Sequence, residues 1–566
     1  MAVTDNPARP PLVAARRWRP VLAPSNPALL VIGALVVGFV GYPVAAGLGI
    51  FEPAAFARLL SAQNVEPLLN SLLAAALSIV PAAVLGVPLA CLCARTNLPG
   101  RNAIGLLVSV SFVIPNLLTS IAYVFLFGRN SGLVNVLFYG VLGAPLYDIY
   151  SFSGVVFIAV LHSYPLIFFT TLSGLSKINP ELEEAGRICG LSPVAVFFRI
   201  TLGAILPSVM AGVAFSVAES LTMLAGPLVL GSPVGLRFMT TEMYATIVMN
   251  PNLPAAVALS LPLVAITVLL LWLQARLLGG AGSARFAVLS GKGARSEIID
   301  LGRWRFPMML LALIPVMLSL GLPVLTLLAA ALMDQWWRGL DPDNFTLANF
   351  AYLFSDQETR LAVWNSALLS VGIGAVMALL GGVLAIVLSG PQTLGKRFLR
   401  QLSEFPLGLP HVVAGVLVIL AWYGSPFHLG GTLWILAFGY VLVMLPYALK
   451  TCEAARGQID TSLAEAAHIV GCSQLQAWRY VLMPLMKNGL LTTFVLVFLF
   501  VVKEFSLTAM VYSAETQTLA VRVFTYFEGG SYEKTAAAAI LLLVLTFGGL
   551  AVAGRLLKVS LTGIKV

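Results

Sequence analysis

Apolar runs of about 20 residues recur along the whole chain, and they constrain the fold more than any other feature. Charged residues make up only 10% of the 566 residues. An ordinary soluble domain carries about 25% charged residues, so this chain lacks the polar surface that several soluble domains would need. Inside a bilayer a backbone must satisfy its own hydrogen bonds, and a helix does so. The sequence therefore predicts an all-α membrane protein with many spans.

About twelve spans, six in each half, account for these runs. Their predicted starts lie near Leu29, Leu68, Ala103, Gly154, Thr201 and Pro254 in the first half, and near Pro307, Leu361, Leu402, Gly431, Gly489 and Thr535 in the second. The spans define two membrane domains and three connecting or terminal segments: a tail at 1–28, a domain at 29–279, a linker at 280–306, a domain at 307–558 and a tail at 559–566. An even number of spans places both termini on one side.

The distribution of Lys and Arg predicts the orientation. With a cytoplasmic N-terminus, 25 of the 33 basic residues fall in cytoplasmic segments, as the positive-inside rule requires. Both termini and the linker are therefore predicted to be cytoplasmic. The net charge of +9 reflects this topology and an attraction to anionic membrane lipid. It does not indicate nucleic-acid binding, because no basic stripe lies on a soluble domain.

The chain contains an internal duplication. The segment EAGRICG at 184–190 returns as EAAHIVG at 465–471, 281 positions later. Upstream, NSLL at Asn70 pairs with NSAL at Asn365, and IPNLL at Ile114 pairs with LPHVV at Leu409, both at an offset of 295. Two tandem parallel repeats predict a pseudo-two-fold axis along the membrane normal, with a path between the halves.

The repeated polar segment has the pattern of a short helix, a turn and a second helix. Each copy has a cap residue, a glycine suited to a left-handed stop, and a second cap residue. These are Asn179, Gly190 and Ser192 in the first copy, and Asp460, Gly471 and Ser473 in the second. The distribution of basic residues predicts that both copies lie on the cytoplasmic face.

Small residues at 185–186 and 466–467 leave one side of each short helix nearly bare, next to Glu184 or Glu465. A plain amphipathic connector is one interpretation, since alanine is a good helix former. Two copies with the same caps on one face favour a docking surface for a two-lobed partner.

The pattern resembles the EAA loop of binding-protein-dependent ABC transporter permeases, in which E-A-A-x-x-x-G forms part of a coupling helix. The resemblance implies a type I ABC importer permease fold with two permease halves fused in one chain. The residues that match the motif, and that would contact the ATPase, are Glu184, Ala185, Gly186 and Gly190 in the first copy, and Glu465, Ala466, Ala467 and Gly471 in the second. The copies differ elsewhere, because Gly203 stands where the second copy has Pro484.

The same resemblance implies the partners. They would be two copies of an ABC ATPase subunit on the cytoplasmic face, which would bind ATP and magnesium, and a soluble or lipid-anchored substrate-binding protein on the outer face. This chain would bind no cofactor itself and would lie in the bacterial plasma (inner) membrane. The fused layout resembles the iron(III) and 2-aminoethylphosphonate importer permeases, and of these cargoes iron(III) is favoured.

The sequence contains only weak matches to motifs for phosphate binding, metal binding or catalysis. GPQTLGKR at 390–397 ends in Arg397 where a phosphate-binding loop needs Ser or Thr, and it follows a membrane helix and not a strand. The four histidines are scattered, and none is spaced as a metal-ligand pair: His162, His411, His428 and His468. The sequence therefore predicts no catalytic residues, no metal site and no enzymatic activity.

Three charged residues fall inside predicted spans: Glu219 in the first half, and Lys503 and Glu504 at a comparable place in the second. Charges within a membrane indicate function by default, although positions near an outer end of the spans, or pairing across the halves, would also account for them. Lys503 and Glu504 are adjacent and point in different directions on a helix, so they need not pair. A twelve-span secondary transporter driven by proton or sodium is the alternative function, with Glu219 and Glu504 as its coupling carboxylates.

Overall fold

The computed structural model describes residues 26–50, 62–279, 298–339, 341–390, 392–469 and 471–557. Nine helices within these ranges are long and apolar enough to cross a membrane, or up to twelve spans if each of three bent helix pairs is one span. The nine are Leu29–Gly49, Asn64–Arg95, Phe152–Leu175, Phe197–Thr222, Leu253–Leu273, Gly302–Ala331, Gln357–Val387, Leu433–Gly457 and Tyr532–Val552. The prediction of an all-α protein with about twelve spans is confirmed. The 1–28 tail up to residue 25, the linker up to residue 297 and the 559–566 tail lie outside the described residues.

Two bent pairs occupy equivalent places in the two halves, where continuous spans were predicted near Ala103 and Leu402. Arg101–Val113 meets Asn116–Phe127 at 95°, and Leu394–Gly408 meets His411–Tyr423 at 114°. Pro115 and Pro410 precede the second helix of each pair. A residue before proline is disfavoured in the helical conformation, so each span breaks there.

The third bent pair has no counterpart in the first half. Trp478–Leu485 meets Lys487–Val502 at 61°, whereas the corresponding first-half helix, Phe197–Thr222, passes the same test as one span. The sequence difference noted above lies here, since the second half has Pro484 where the first has Gly203. Proline within a helix removes a backbone hydrogen bond and favours a bend.

The duplication is visible in side-chain contacts at one end of the spans. Asn70 donates a hydrogen bond to the carbonyl of Arg237 at 2.9 Å, and Asn365 donates one to the carbonyl of Gln517 at 3.0 Å. The adjacent Ser71 hydroxyl accepts from the backbone amide of Met239 at 2.9 Å, and Ser366 accepts from that of Leu519 at 2.7 Å. The repeated NS pair thus fixes the same loop in each half.

Equivalent glycines allow the same helix crossing in both halves. A Cβ on Gly86 would lie 2.7 Å from the carbonyl oxygen of Tyr164, and one on Gly381 would lie 2.8 Å from that of Ala448. Close backbone approach at small residues is the usual way in which membrane helices pack. These two crossings join the second and fourth spans of each half.

The first span of each half packs against the other half. In the first span, the Phe39 ring lies 6.2 Å from Trp422 and 5.1 Å from Phe438, both in the second half. In the helix Gly302–Ala331, the carbonyl of Leu318 accepts a hydrogen bond from Tyr123 at 2.9 Å, in the first half. We call Leu29–Gly49 and Gly302–Ala331 the exchanged spans. They tie the halves together around a central cavity.

Candidate functional sites

The first short helix, Pro180–Ile188, begins and ends as its sequence predicts. The Asn179 side chain accepts a hydrogen bond from the backbone amide of Glu181 at 3.1 Å. Gly190 has a φ of +84°, the left-handed conformation that ends a helix at low cost only for glycine. The Ser192 hydroxyl then accepts from the amide of Ala195 at 3.3 Å and caps the following helix.

The second short helix, Thr461–Ile469, repeats this geometry. Asp460 accepts a hydrogen bond from the amide of Ser462 at 2.9 Å, and this bond holds the pKa of Asp460 below its usual range. Gly471 has a φ of +89°. The Ser473 hydroxyl accepts from the amide of Gln476 at 3.3 Å. The predicted caps and stops of both copies are therefore present.

The motif residues divide between the surface and the interior. Those on the surface are Glu184, Ala185 and Gly190 in the first copy, and Ala466 and Gly471 in the second. Glu465 lies within the second short helix, next to Ala466. Gly186 and Ala467 are buried, so they do not belong to the exposed bare side that the sequence predicts. A Cβ on Gly186 would lie 2.5 Å from Cδ1 of Ile200, which shows that this side packs against the next helix.

Sequence reasoning missed the most exposed apolar residues of these helices. Ile188 is 86% exposed and Ile469 is 79% exposed, and they are equivalent in the repeat. An isolated exposed isoleucine needs no explanation, but two at matched positions form an apolar surface feature that the duplication repeats. The repeat offset of 281 already paired them in the sequence.

The first short helix has an ion pair to the membrane spans. Arg95, at the end of the second span, contacts Glu183 at 3.2 Å with side chains 5% and 12% exposed. Thr201 donates to the same carboxylate at 2.7 Å, and Arg95 also donates to the carbonyl of Leu175 at 3.2 Å. The second copy has Ala464 where the first has Glu183, so this contact cannot form there.

A central cavity of about 170 Å³ lies between the halves. It is smaller than the roughly 300–1,000 Å³ of typical sites for drug-sized ligands. Its charged and imidazole side chains come from both halves: Glu219 and His162 from the first, and His411, Lys503 and Glu504 from the second. The three intramembrane charges predicted to be functional therefore share one cavity.

Each carboxylate of the cavity has a histidine partner. Nε2 of His162 lies 3.5 Å from Oε1 of Glu219, and Nδ1 of His411 lies 2.6 Å from Oε2 of Glu504. Oε1 of Glu504 also accepts a hydrogen bond from the amide of Leu507 at 2.9 Å. The Glu219 side chain is 42% exposed to the cavity, whereas that of Glu504 is only 8% exposed.

Lys503 is held apart from both carboxylates. Its ammonium donates to the carbonyl of Phe112 at 3.2 Å and lies 4.7 Å and 5.2 Å from the ring centres of Phe112 and Phe500. Within the described ranges it has no ion pair of 4.0 Å or less. The helix Lys487–Val502 ends before Lys503 and Glu504, so the two residues are not neighbours on a helix as the sequence suggested.

Two of the histidines that are scattered in the sequence, His162 and His411, line the same cavity. One signal was present in the sequence: His411 occupies the repeat position of Asn116, and both residues begin the second helix of a bent pair and line the cavity. Among the described residues, no group of three His, Cys, Asp or Glu side chains is placed to hold a metal ion.

A second cavity, of about 610 Å³, lies at the opposite end of the spans from the short helices. Residues of both halves line it, among them Tyr150, Arg237, Glu242 and Glu528. Arg237 forms two hydrogen bonds to Glu242, at 2.6 and 2.7 Å. Burial raises the pKa of Glu528 above its usual range. The two cavities thus lie along the interface between the halves.

A duplicated helical membrane unit with cavities along the interface of its halves defines a membrane transport protein. The model of the family described as "Binding-protein-dependent transport system inner membrane component" matches residues 86–279 and 370–558. The chain belongs to this family and carries its domain twice. It is therefore a multi-pass inner-membrane permease of a binding-protein-dependent ABC importer, and not the ion-driven secondary transporter of the alternative interpretation.

Curated relatives of this chain are described as permease proteins of transport systems. The chain is 26% identical over 540 residues to the "Ferric transport system permease protein FbpB" of Actinobacillus pleuropneumoniae, covering 92% of this chain and 76% of the relative. It is 27% identical over 231 residues to the "Putative 2-aminoethylphosphonate transport system permease protein PhnV" of Salmonella typhimurium, covering 40% of this chain and 84% of the relative.

Among solved structures, a chain of the crystal structure of a bacterial alginate ABC transporter in complex with an alginate pentasaccharide-bound periplasmic protein is similar. It aligns with a TM-score of 0.36 and 18% identity, over 45% of this chain and 96% of that chain.

Proposed function

We propose that this permease couples to two copies of an ATP-hydrolysing subunit through its two short helices. The observation that carries the proposal is the matched exposure of Ile188 and Ile469 on two helices with the same caps and the same left-handed stop. A symmetric pair of ATPase subunits, with ATP and magnesium bound between them, would press on both helices at once. Glu184 and Glu465 would provide charged contacts beside the apolar ones. Catalysis would then reside in the partner and not in this chain.

The face that bears the short helices is the cytoplasmic one in this proposal, with both termini on the same side. Basic residues at this end of the spans support it, because Arg95, Arg400 and Lys450 all lie here in ion pairs with Glu183, Glu453 and Glu404, respectively. The positive-inside rule assigns such an end to the cytoplasm. Loops at the opposite end, near 129–153, 232–253, 334–360 and 514–534, would receive cargo from a soluble or lipid-anchored substrate-binding protein.

The proposed cargo is iron(III) or a small phosphonate, and iron(III) is favoured. The ferric relative matches 92% of this chain, whereas the phosphonate relative matches 40%. The path of the cargo would run between the two halves, through the second cavity and the central cavity. Closure of the ATPase subunits would push the short helices together and convert an inward-facing cavity to an outward-facing one.

Mild-detergent purification of the tagged chain from its native membranes, followed by mass spectrometry, tests the coupling. We expect an ATPase subunit at about two copies per chain with the wild type, and its loss with Glu184→Arg and Glu465→Arg combined. Glu515→Arg, an exposed charge reversal at the opposite end of the spans, is the matched control and should retain the subunit. A chain that purifies alone in all three forms would contradict the proposal.

A further inference from the structure

We propose that the central cavity is a transit site for a hard multivalent cation, and that the positive charge of Lys503 repels this cation and keeps its binding weak. The inference rests on the proposed function, because it names the kind of cargo that would pass between the halves. It concerns the residues that the cargo meets on the way.

The carboxylates of the cavity lining favour a cation over an anion. Glu219 and Glu504 face the cavity, one from each half, and the ammonium of Lys503 lies in the same lining. Carboxylate oxygens are the ligands that hard cations prefer, and a phosphonate dianion would meet repulsion from both.

The Lys503 ammonium of the lining is already engaged. Lys503 donates to the Phe112 carbonyl at 3.2 Å and lies over the faces of Phe112 and Phe500 at 4.7 and 5.2 Å. A carbonyl and two aromatic faces are what stabilises a cation away from water. Lys503 therefore needs no anionic cargo to balance it, and it lies where a second cation would feel its repulsion.

The geometry favours a site that a cation passes through over a site that binds the cation tightly. No three ligating side chains within the described ranges converge on one point, and each carboxylate is held by a histidine. A cation in this cavity would keep much of its hydration shell and contact the carboxylates through water. Transport requires binding that is favourable enough to admit an ion and weak enough to release it.

The position in the fold fits this role. Asn116 and His411 begin the second helices of the two bent pairs and line the cavity from equivalent places in the halves. Transporters commonly place their cargo sites where helices are discontinuous at the interface of repeats. Asn116 and the two carboxylates then offer oxygen atoms from both sides of the path.

Titration of the purified chain in neutral detergent with Tb³⁺, a hard trivalent probe, tests the proposal. Tyr447 lines the cavity and would sensitise Tb³⁺ luminescence. We expect saturable luminescence with the wild type, a dissociation constant at least tenfold higher with Glu219→Gln and Glu504→Gln combined, and one at least threefold lower with Lys503→Met. Tyr447→Phe should lower the amplitude and leave the constant unchanged.

Glu404→Gln is the matched control, because Glu404 pairs with Lys450 at the end of the spans, outside the cavity lining. All variants must elute as the wild type on size exclusion. No saturable signal with the wild type, or equal constants in all variants, would overturn the proposal. So would binding of methylphosphonate that is lost with Lys503→Met.

The same preparations separate this inference from the proposed function. ATPase co-purification reports on the short helices and should persist in every cavity variant. If the ATPase subunit is retained and Tb³⁺ binding does not respond to the cavity residues, the transit site is wrong and the coupling stands. If the subunit is absent from the wild type, the coupling is wrong whatever the Tb³⁺ result.

Discussion

The two short helices share their local geometry but not their attachment to the membrane spans. Both have an Asx cap, a left-handed glycine and a serine that caps the next helix. The first is tied by a buried ion pair, Arg95 with Glu183, to the end of a span, whereas the second has Ala464 in place of Glu183. The comparison shows that a duplicated sequence can preserve the caps and the turn of a short helix while the contacts of that helix with the membrane spans diverge. We therefore expect the two halves to respond unequally to the loss of the contacts that join each short helix to the spans.

The largest expected effect comes from removing the anchor of the first helix. Arg95→Ala leaves the carboxylate of Glu183 buried without its cation, and such a loss typically costs about 3 kcal/mol. Arg456→Ala, near the second helix, removes a hydrogen bond of 3.0 Å to the carbonyl of Ile459 and should cost about 1 kcal/mol. Chemical unfolding of the purified variants measures both. Equal losses would show that the two helices are anchored alike.

The next effect concerns the asparagines of the repeated NS pair. Asn365 donates to the carbonyls of Glu515 and Gln517 at 3.1 and 3.0 Å, whereas Asn70 makes one such bond, to Arg237. At about 1 kcal/mol for each hydrogen bond, Asn365→Ala should destabilise the chain about twice as much as Asn70→Ala. The same unfolding measurement tests this order, and a larger loss at Asn70 would contradict it.

The glycines that end the short helices should respond equally. Gly190→Ala and Gly471→Ala each force a side chain into the left-handed conformation, at φ +84° and +89°, which costs about 1 kcal/mol. Neither position has an atom within 4 Å of a new Cβ, so strain of the backbone is the only term. Binding of the ATPase subunit to each single variant is the readout. A difference of more than tenfold between them would show that one docking site dominates.

The smallest effect is expected at Gly186, the buried member of the first motif. A Cβ there meets the flexible end of Ile200 at 2.5 Å, so Gly186→Ala should cost less than about 1 kcal/mol after this side chain shifts. Gly203→Ala is the control, because nothing lies within 4 Å of its Cβ position. Loss of ATPase binding with a fully stable Gly186→Ala chain would place Gly186 in the docking contact, against its burial.

Local features were predictable because they depend on residues within one or two helical turns. The caps at Asn179 and Asp460, the stops at Gly190 and Gly471 and the apolar runs of the spans all belong to this class. The broken spans at Pro115 and Pro410 carried a local signal as well, since proline disfavours a helical residue before it. Their bends of 95° and 114° were nevertheless missed, because apolar composition alone predicted a straight span.

The sequence by itself determined that this chain is a duplicated set of membrane helices, with two matched polar units on one face. Lipid imposes that result, because only helices satisfy their backbone there, and a repeat preserves whatever its ancestor presented. Tertiary structure alone decided that the first span of each half packs on the other half, and that His162 and His411 meet Glu219 and Glu504 in one cavity. The two His–Glu pairs join residues that are 57 and 93 positions apart, and the contacts of the first spans join residues that are farther apart still. At such separations the packing of side chains between whole helices selects the partner, and no local rule does.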